Sequence, residues 1–323
     1  MRAAVLHTVG RPPTVGDRPE PGHGPGQSLL RVTAAPVVPL DLLCASGTSY
    51  FGRPAVPYVP GVQGVGVVER SESLPAGSRV WFTATAGMAP GDGSLAERCA
   101  VADGDLVPLD TDCPDALVAA LGLSAVAAWM ALSWRAALQP GEQVLVLGGG
   151  GAVGQVGIGA ARALGASRVV AVARSEAARR RALDAGADAV VAMAPEADEL
   201  TARLVEVVGH DVDVVLDPVF GAGATAGARV LADGGRLVNL GGASGDEATF
   251  SSAVLRSRSV SVLGYTNNSL SAARRRDALT AVLDLASRGQ VTVAYEQLPL
   301  EEAEQAWQRQ AVGDGDRRLV LVP

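Results

Sequence analysis

The segment from Val144 to Gly154 constrains the fold more than any other part of the chain. It begins with four apolar residues, which predict a strand buried on both faces, as in parallel sheets. Glycines follow in the spacing Gly149-x-Gly151-x-x-Gly154, and then small residues compatible with a helix. Glycine at these positions permits a tight turn, close approach of the backbone to a pyrophosphate, and tight packing of helix on strand. We therefore predict a dinucleotide-binding turn; a plain glycine-rich turn is the alternative.

The start of the helix that follows this turn is the second half of the predicted site. A helix N-terminus offers free N–H groups and the positive end of its dipole to phosphates. The cofactor-binding residues that we predict in the turn and the first helical turn are Gly149, Gly151, Ala152, Val153 and Gly154.

Bulk composition limits the possible classes of protein. The 323 residues exceed one average domain, so two domains are expected. The chain is 48% hydrophobic and 19% charged, which is enough to bury a core. A net charge of −7 argues against a nucleic-acid surface. All 27 basic residues are arginine, which excludes lysine Schiff-base chemistry.

Cysteine usage and hydropathy indicate a soluble cytoplasmic protein. The three cysteines lie far apart and are expected to be buried, reduced thiols: Cys44, Cys99 and Cys113. The N-terminal apolar run is too short for a signal peptide. The longest apolar stretch, 116–132, is interrupted by Gly122 and Ser124, so we interpret it as one or two buried helices rather than a membrane span.

The order of local patterns predicts two kinds of domain. Residues 1–114 are rich in glycine and proline with short valine-containing runs, which is typical of a β-rich, barrel-like body. Residues 115–138 are apolar and predicted helical, and from residue 143 strand and helix signals alternate. The predicted strands are 144–147, 168–173, 189–191, 212–216, 236–240 and 259–263. This alternation predicts an α/β domain with a doubly wound parallel sheet. We place it at 116–265, with 1–115 and 266–323 forming the β-rich domain.

Motifs along the whole chain resemble those of one protein family. Residues 60–69 resemble its P-G-x-E-x-x-G-x-V segment, Pro39-Leu40-Asp41 its N-P-x-D turn, and residues 46–50 its S-G-x-Y loop. Further similar segments are 183–188, 231–236, 298–303 and 318–321. On these residues the chain resembles the medium-chain dehydrogenase/reductase superfamily, in its zinc-independent quinone oxidoreductase-like branch. The resemblance implies a Rossmann domain and a β-rich, GroES-like catalytic domain.

The positions that hold zinc in other members of this superfamily carry unsuitable residues here. Those members have a cysteine three residues before the aspartate that matches Asp41, and His-Glu after the glycine that matches Gly61. This chain has Val38, Val62 and Gln63 at these places, and residues 87–97 contain no cysteines for a structural zinc lobe. We therefore predict no metal site.

The end of the predicted strand 168–173, the second strand of the α/β domain, distinguishes an NADPH site from an NADH site. NAD sites have Asp or Glu there to bind the ribose 2′-hydroxyl, whereas this chain has Arg174 and Ser175. The Arg174 guanidinium suits a 2′-phosphate, Ser175 offers a hydroxyl and a helix cap, and Arg179 adds charge. We predict NADPH with Arg174 as its main contact; the alternative is that these arginines form only a solvated helix face.

The resemblance also places the nicotinamide. In the family, backbone from two loops binds its carboxamide, and the matching residues here are Leu240, Gly241, Gly242, Gly264 and Tyr265. We also assign Arg318, in the similar C-terminal segment, to the cofactor site.

The catalytic candidates are groups that polarise a substrate carbonyl, since hydride transfer itself is the cofactor's chemistry. Tyr50 matches the family's loop tyrosine and is the first candidate for substrate positioning or proton donation, although a packing aromatic explains it equally well. Tyr265 and Asn267 are the second candidates. Val38 and Ala127 replace an asparagine and a threonine of the family, which removes two polar groups near the expected hydride.

We therefore predict a zinc-free, NADPH-dependent oxidoreductase that reduces a quinone or the C=C bond of an α,β-unsaturated carbonyl compound. One alternative is a biosynthetic tailoring enoyl reductase or cyclase with a narrow substrate. Another is a non-redox NADPH-binding protein, for which the polar groups lost at Val38 and Ala127 leave room. By resemblance we expect a homodimer that pairs the edges of its Rossmann sheets, through residues 259–264, and no nucleic-acid or membrane partner.

Overall fold

The computed structural model describes residues 1–313 and 317–323 and divides the chain into two compact units. The β-rich unit contains Met1–Gly122 and Ala294–Pro323, and the dinucleotide unit contains Leu123–Val293. These bounds differ from the predicted ones chiefly at residues 266–293, which belong to the dinucleotide unit. A helix in this segment buries Leu279 and Val282, and the backbone that follows lies against Gly159, where a Cβ would come within 2.6 Å of the Gln290 carbonyl oxygen.

The regular elements are numbered along the chain. The strands are β1 (Arg2–Val5), β2 (Thr14–Asp17), β3 (Gln27–Pro36), β4 (Gln63–Arg70), β5 (Arg79–Thr83), β6 (Arg98–Ala102), β7 (Leu106–Pro108), β8 (Gln143–Leu147), β9 (Arg168–Ala173), β10 (Ala189–Ala192), β11 (Val212–Asp217), β12 (Leu231–Asn239), β13 (Ser261–Gly264), β14 (Tyr295–Pro299) and β15 (Arg318–Val322). The α-helices are α1 (Pro39–Ser46), α2 (Asp115–Met130), α3 (Ala152–Ala163), α4 (Glu176–Asp184), α5 (Ala197–Val208), α6 (Gly221–Arg229), α7 (Ser252–Ser257), α8 (Ala272–Ser287) and α9 (Ala303–Ala311). Short 3-10 turns occur at Asp103–Asp105, Asn267–Ser269 and Leu300–Glu302, and a π-helical turn at Ala131–Arg135.

The β-rich unit is built on one large sheet with the strand order β14-β15-β3-β4-β5-β7, to which β6 adds beside β3. Its neighbouring strands are antiparallel except for the parallel pair β14–β15. Strands β1 and β2 form a separate antiparallel pair. Large side chains such as Leu6, Leu30 and Phe82 are fully buried in the core. The predicted β-rich class is confirmed, although α1, β2, β7 and β14 were not predicted.

The dinucleotide unit contains a six-stranded sheet in the order β10-β9-β8-β11-β12-β13, and all its neighbours are parallel. The central strands are apolar on both faces and fully buried, as at Leu145, Val170 and Val215. Strands buried on both faces are continuous apolar runs rather than alternating apolar and polar residues, and such runs identified these strands in the sequence. The predicted doubly wound parallel sheet is confirmed.

The stretch 115–138, predicted as one or two buried helices, is helical over Asp115–Arg135 and departs from a regular α-helix at two places. Helix α2 is broken at Gly122, whose φ of 28° and ψ of −123° are not helical. A Cβ at this position would overlap the Gln63 side chain, which explains why the residue is glycine. The helix then widens into the π-helical turn Ala131–Arg135. The stretch Asp115–Arg135 has the length and hydropathy of a membrane span, yet 78% of its most apolar window is buried inside the protein, as in a core helix.

Candidate functional site

The glycine run forms a tight turn between β8 and α3. Gly149 donates its N–H to the Val172 carbonyl oxygen of β9 at 2.9 Å. A Cβ at Gly150 would lie 2.5 Å from that of Ala178, and one at Gly154 would overlap the Gly148 carbonyl oxygen. These two glycines are therefore required by close packing of backbone and helices, as the fingerprint predicts.

Gly151 differs from its neighbours because it faces open space. A Cβ built there would meet only the Gly148 oxygen, at 3.4 Å. The first amides of α3, at Ala152 and Val153, follow directly, and such N–H groups lack partners within a helix. The turn thus fits a pyrophosphate, which would accept hydrogen bonds from these amides at the positive end of the helix dipole.

Two side chains fix the carbonyl group of Gly150. Gln155 Nε2 donates to this oxygen at 2.9 Å and Arg181 Nε at 3.1 Å. Gln155 is 5% exposed, so the first of these contacts lies in the protein interior. Both contacts hold the turn in one conformation before any ligand binds. Sequence reasoning missed this role, because neither residue belongs to the fingerprint.

The end of β9 carries the basic residues that were predicted to select NADPH. Arg174 is exposed and forms no ion pair with any residue in the part of the chain that the structure describes. Ser175 caps α4, its Oγ accepting the Ala178 N–H at 3.1 Å. Arg179 Nη1 donates to the Arg174 carbonyl oxygen at 2.9 Å, whereas Arg180 bonds Asp184 at 3.0 Å. The Arg174 guanidinium is therefore available to an anionic ligand.

A buried carboxylate organises the loops that follow β11 and β12. Asp217 is fully buried, and its Oδ1 accepts the backbone N–H groups of Val219 at 3.0 Å and Phe220 at 2.8 Å. Asn239 Nδ2 donates to the Gly241 carbonyl oxygen at 2.7 Å and lies 3.4 Å from Asp217 Oδ2. Burial raises the pKa of Asp217, and the backbone hydrogen bonds act against that rise.

The predicted nicotinamide loop at residues 240–242 packs against the backbone of Asp217 and Pro218. Leu240 donates its N–H to the Asp217 carbonyl oxygen at 2.9 Å, and a Cβ at Gly241 would lie 2.8 Å from the Pro218 oxygen. Gly242 is the next residue of this loop, and a Cβ built on it would lie 2.9 Å from the Asp246 carboxylate. Close backbone packing therefore explains glycine at position 241, whereas at position 242 the nearest atom belongs to an exposed side chain.

The loop after β13 brings two predicted catalytic residues together. Tyr265 donates its hydroxyl to Asn267 Oδ1 at 2.6 Å, and Asn267 Nδ2 donates to the Leu123 carbonyl oxygen at 3.1 Å. The Tyr265 N–H bonds the Asn239 oxygen at 2.9 Å, and the Gly264 oxygen accepts from Arg135 Nε at 2.9 Å. Burial raises the pKa of Tyr265, so its hydroxyl stays protonated and remains a donor.

Tyr50 belongs to the β-rich unit and is 77% exposed. Its ring lies 4.3 Å from that of Phe51, tilted by 39°. This contact suits the packing alternative, but the exposure leaves the hydroxyl accessible, so the catalytic role of Tyr50 stays a prediction.

Asp41 and Arg318 form a buried electrostatic pair in the β-rich unit. Asp41 accepts the N–H groups of Val38 and Val62, each at 2.8 Å, and Arg318 Nη1 donates to the Val37 oxygen at 3.2 Å. Burial raises the pKa of Asp41 to about 6, and burial lowers that of Arg318 to about 10. Contact of Arg318 with a cofactor stays a prediction.

The positions matching zinc ligands do not fit a metal. Val38 and Val62 are buried and apolar, and Gln63 Oε1 accepts the indole N–H of Trp81 at 3.1 Å. Over residues 1–313 and 317–323, no cluster of three or more His, Cys, Asp or Glu side chains could hold a metal ion. The three cysteines are buried and unbridged.

Comparison with known proteins identifies the family. Residues 24–111 match the alcohol dehydrogenase GroES-like domain, and residues 152–288 match the zinc-binding dehydrogenase domain. The quinone oxidoreductase of Thermus thermophilus, whose structure is also known in complex with NADPH, is 32% identical over the full length of both chains, with a TM-score of 0.83. The chain belongs to the quinone oxidoreductase-like medium-chain dehydrogenase/reductases.

Two further relatives of this quinone oxidoreductase-like chain differ in size and kind. The quinone oxidoreductase of Rattus norvegicus is 30% identical over 75% of this chain and 73% of its own length. A phenolphthiocerol/phthiocerol polyketide synthase polypeptide of Mycobacterium tuberculosis is 29% identical over 99% of this chain, which spans only 14% of that polypeptide. The chain is thus similar both to separate oxidoreductases and to a segment of a large biosynthetic enzyme.

Sequence reasoning missed Asp217 and Asn239 as organisers of the site. A usable signal was present, since each polar residue comes at the end of an apolar strand of the parallel sheet. Ligands of such sheets bind beyond the carboxyl ends of the strands. The contact between the two side chains depends on strand order, which single-strand patterns do not give.

Proposed function

We propose that this chain is an NADPH-dependent, zinc-independent reductase of quinones or of the C=C bond of α,β-unsaturated carbonyl compounds. The observation that carries the proposal is the Arg174 guanidinium, exposed and not ion-paired among the described residues, next to a glycine turn that fits a pyrophosphate. A 2′-phosphate would engage this cation, and no carboxylate stands at the end of β9 to bind a 2′-hydroxyl. The NADPH complex of the Thermus thermophilus quinone oxidoreductase supports the same choice.

Different residues of the chain would have different roles in such a reaction. Bound NADPH supplies a hydride to the conjugated system, and a proton added to the α-carbon or the quinone oxygen completes the reduction. The anchored loops at Asp217 and Asn239 hold the backbone to which we assign the nicotinamide carboxamide. In the fixed Tyr265–Asn267 pair the tyrosine proton is donated to Asn267 Oδ1 and one amide proton to the Leu123 oxygen, so the group left to orient a substrate oxygen is the second N–H of Asn267 Nδ2. Tyr50 remains a candidate for proton donation.

The test is a fluorescence titration of the wild-type protein and of Arg174→Ala with NADPH and NADH. A charge-assisted hydrogen bond contributes about 1.5–3 kcal/mol, so we expect Arg174→Ala to weaken NADPH binding about 10- to 150-fold and to leave NADH binding unchanged. Arg180→Ala is the matched control, because Arg180 lies on the helix that follows Arg174 and is paired with Asp184. Equal losses for both nucleotides would refute the assignment.

A second candidate function is enoyl reduction in a biosynthetic assembly. The similarity to a polyketide synthase polypeptide over 99% of this chain favours it. The two candidates share hydride transfer and differ in the acceptor. With NADPH, turnover of a crotonyl thioester but not of 9,10-phenanthrenequinone would support the biosynthetic function, and the reverse would support quinone reduction.

Tight NADPH binding without turnover of a quinone, a simple enone or an enoyl thioester would instead favour a non-redox binding protein. In that case the apolar residues Val38 and Ala127, which are 5% and 7% exposed, would be the first positions to examine.

We also propose that the protein is a cytoplasmic homodimer in which β13 pairs with the same strand of a second copy. Strand β13 is the last strand of its sheet and pairs with β12 on one side. Its Val262 side chain is 39% exposed. An edge strand with free backbone groups is suited to such pairing, and a two-fold axis makes the contact self-complementary.

A further inference from the structure

The backbone of Phe220 adopts a conformation that residues with side chains normally avoid. Its φ of 57° and ψ of −152° lie in a region populated almost only by glycine, because a Cβ crowds the backbone there. Among the described residues, the other non-glycine residues with a positive φ are Ala137 and Ser259. A strained residue persists only where its surroundings hold it, and such strain is concentrated at functional sites.

Neighbouring groups hold Phe220 in this conformation from two sides. The Asp217 carboxylate accepts its N–H at 2.8 Å. Its ring lies 6.3 Å from the ring of Phe250, inclined by 58°, and both rings pack against the core of the dinucleotide unit. The next residue, Gly221, also has a positive φ, of 62°, and there glycine avoids the strain. A glycine at position 220 would avoid it equally, so the feature that the chain retains is the phenyl ring.

The contact between the Phe220 and Phe250 rings fastens one end of the loop that follows β12. This loop, residues 240–250, begins with the residues predicted to bind the nicotinamide carboxamide and ends at Phe250. The middle of the loop is fastened to the same segment of chain, because the Ser244 N–H donates to the Val219 carbonyl oxygen at 2.7 Å. The loop is therefore held against the start of α6 at two points beyond its nicotinamide end.

The segment 218–220 also lies against the glycine turn. A Cβ at Gly148 would come within 2.9 Å of Val219 Cγ1 and 3.6 Å of Pro218 Cγ. The segment is thus placed between the turn that we assign to the pyrophosphate and the loop that we assign to the nicotinamide. All three follow the carboxyl ends of parallel strands, where ligands of such sheets bind.

We infer that Phe220 is a positioning residue for the nicotinamide half of the cofactor. Its ring clamps the loop 240–250 onto the segment 218–220, and so holds the first residues of that loop in place before the nucleotide binds. The strained backbone is retained because the ring makes this contact. The inference rests on the proposed binding of NADPH, but not on the identity of the hydride acceptor.

The first test is isothermal titration calorimetry of the full chain with NADPH and with 2′,5′-ADP, which lacks the nicotinamide half. We expect Phe220→Gly and Phe250→Ala each to weaken NADPH binding about three- to tenfold, the equivalent of one aromatic pair. Binding of 2′,5′-ADP should not change, because its phosphates are assigned to Arg174 and the glycine turn, which both substitutions leave intact. A general loss of structure would instead weaken both ligands.

The second test measures the strain by urea unfolding. Phe220→Ala removes the ring but keeps a Cβ on the strained backbone, whereas Phe220→Gly removes both. We therefore expect Phe220→Gly to unfold at a urea concentration about 0.3–1 M higher than Phe220→Ala. Phe250 is the matched control, since it is not among the described residues with a positive φ. There the glycine variant should unfold at the same urea concentration as the alanine variant or a lower one.

The outcomes separate this inference from the proposed function. If the wild type binds neither NADPH nor 2′,5′-ADP, the proposed NADPH function fails and the inference fails with it. If the wild type binds both, equal losses of the two ligands in the variants, or no loss of NADPH binding, would overturn the inference alone. So would a Phe220→Gly variant that is no more stable than Phe220→Ala, because the Phe220 backbone would then be unstrained.

Discussion

Stability of the β-rich unit should depend on pH through Asp41. Burial raises the pKa of this carboxyl from 3.8 to about 6, although the N–H groups of Val38 and Val62 and the charge of Arg318 act against the rise. The folded protein therefore holds the proton more tightly than the unfolded chain. The resulting stabilisation is fully present below about pH 4 and is lost as the pH rises through about 6. At ~1.4 kcal/mol for each pH unit, the loss amounts to about 3 kcal/mol.

The assay is urea unfolding of the wild type and of Asp41→Asn from pH 3.5 to pH 8. The amide of the variant does not titrate, so the stability that the variant loses through altered hydrogen bonds does not change with pH. The wild-type free energy of unfolding, by contrast, includes the pH-dependent contribution of Asp41. The wild-type value minus the variant value should fall by about 2.5 kcal/mol between pH 4 and pH 7, which is most of the full effect. Asp17→Asn is the control, since the Asp17 side chain is 91% exposed, and its difference should be level. A level or rising difference for Asp41→Asn would refute the reasoning.

Three further substitutions test the dinucleotide unit. Gly154→Ala places a methyl group on the Gly148 carbonyl oxygen and should weaken nucleotide binding at least ~10-fold by titration, whereas Gly104→Ala, which meets open space, should not. Asp217→Ala leaves two half-buried amides without their acceptor and should lower the free energy of unfolding in urea by about 1–3 kcal/mol. Val262→Lys should convert a dimer to a 32.7-kDa monomer by light scattering, and an unchanged mass would contradict pairing through β13.

The parallel sheet could be predicted because its signal is local. Each central strand is a run of apolar residues buried on both faces, so the sequence of β8 or β9 identifies it without its neighbours. Strand β14 has the sequence YEQLP and no such run. It is a strand because it pairs with β15, which is distant in the chain. The need for glycine at position 122 likewise depends on a remote side chain, Gln63.

The same distinction explains which parts of the candidate site were predicted. The glycine turn and Arg174 are fixed by short-range order along the chain, in which a strand leads to a turn and then to a helix. The Asp217–Asn239 contact joins two strands, and the Gly150 oxygen is held by a residue on another helix. Such contacts require the strand order and the packing of helices, so the fingerprint located the site but did not show what holds it rigid.

A single substitution at one of the positions that match zinc ligands would not create a zinc site. The Val38 backbone supports Asp41, the Val62 backbone does the same from the residue before β4, and Gln63 is bonded to Trp81. Each position is thus part of the packing around a buried carboxylate. A ligand side chain placed at one of them would lack converging partners, and at position 63 it would also remove the acceptor of the Trp81 indole N–H. In the proposed reaction a hydrogen-bond donor therefore polarises the substrate oxygen, and the second N–H of Asn267, held in place by Tyr265 and the Leu123 oxygen, is our candidate.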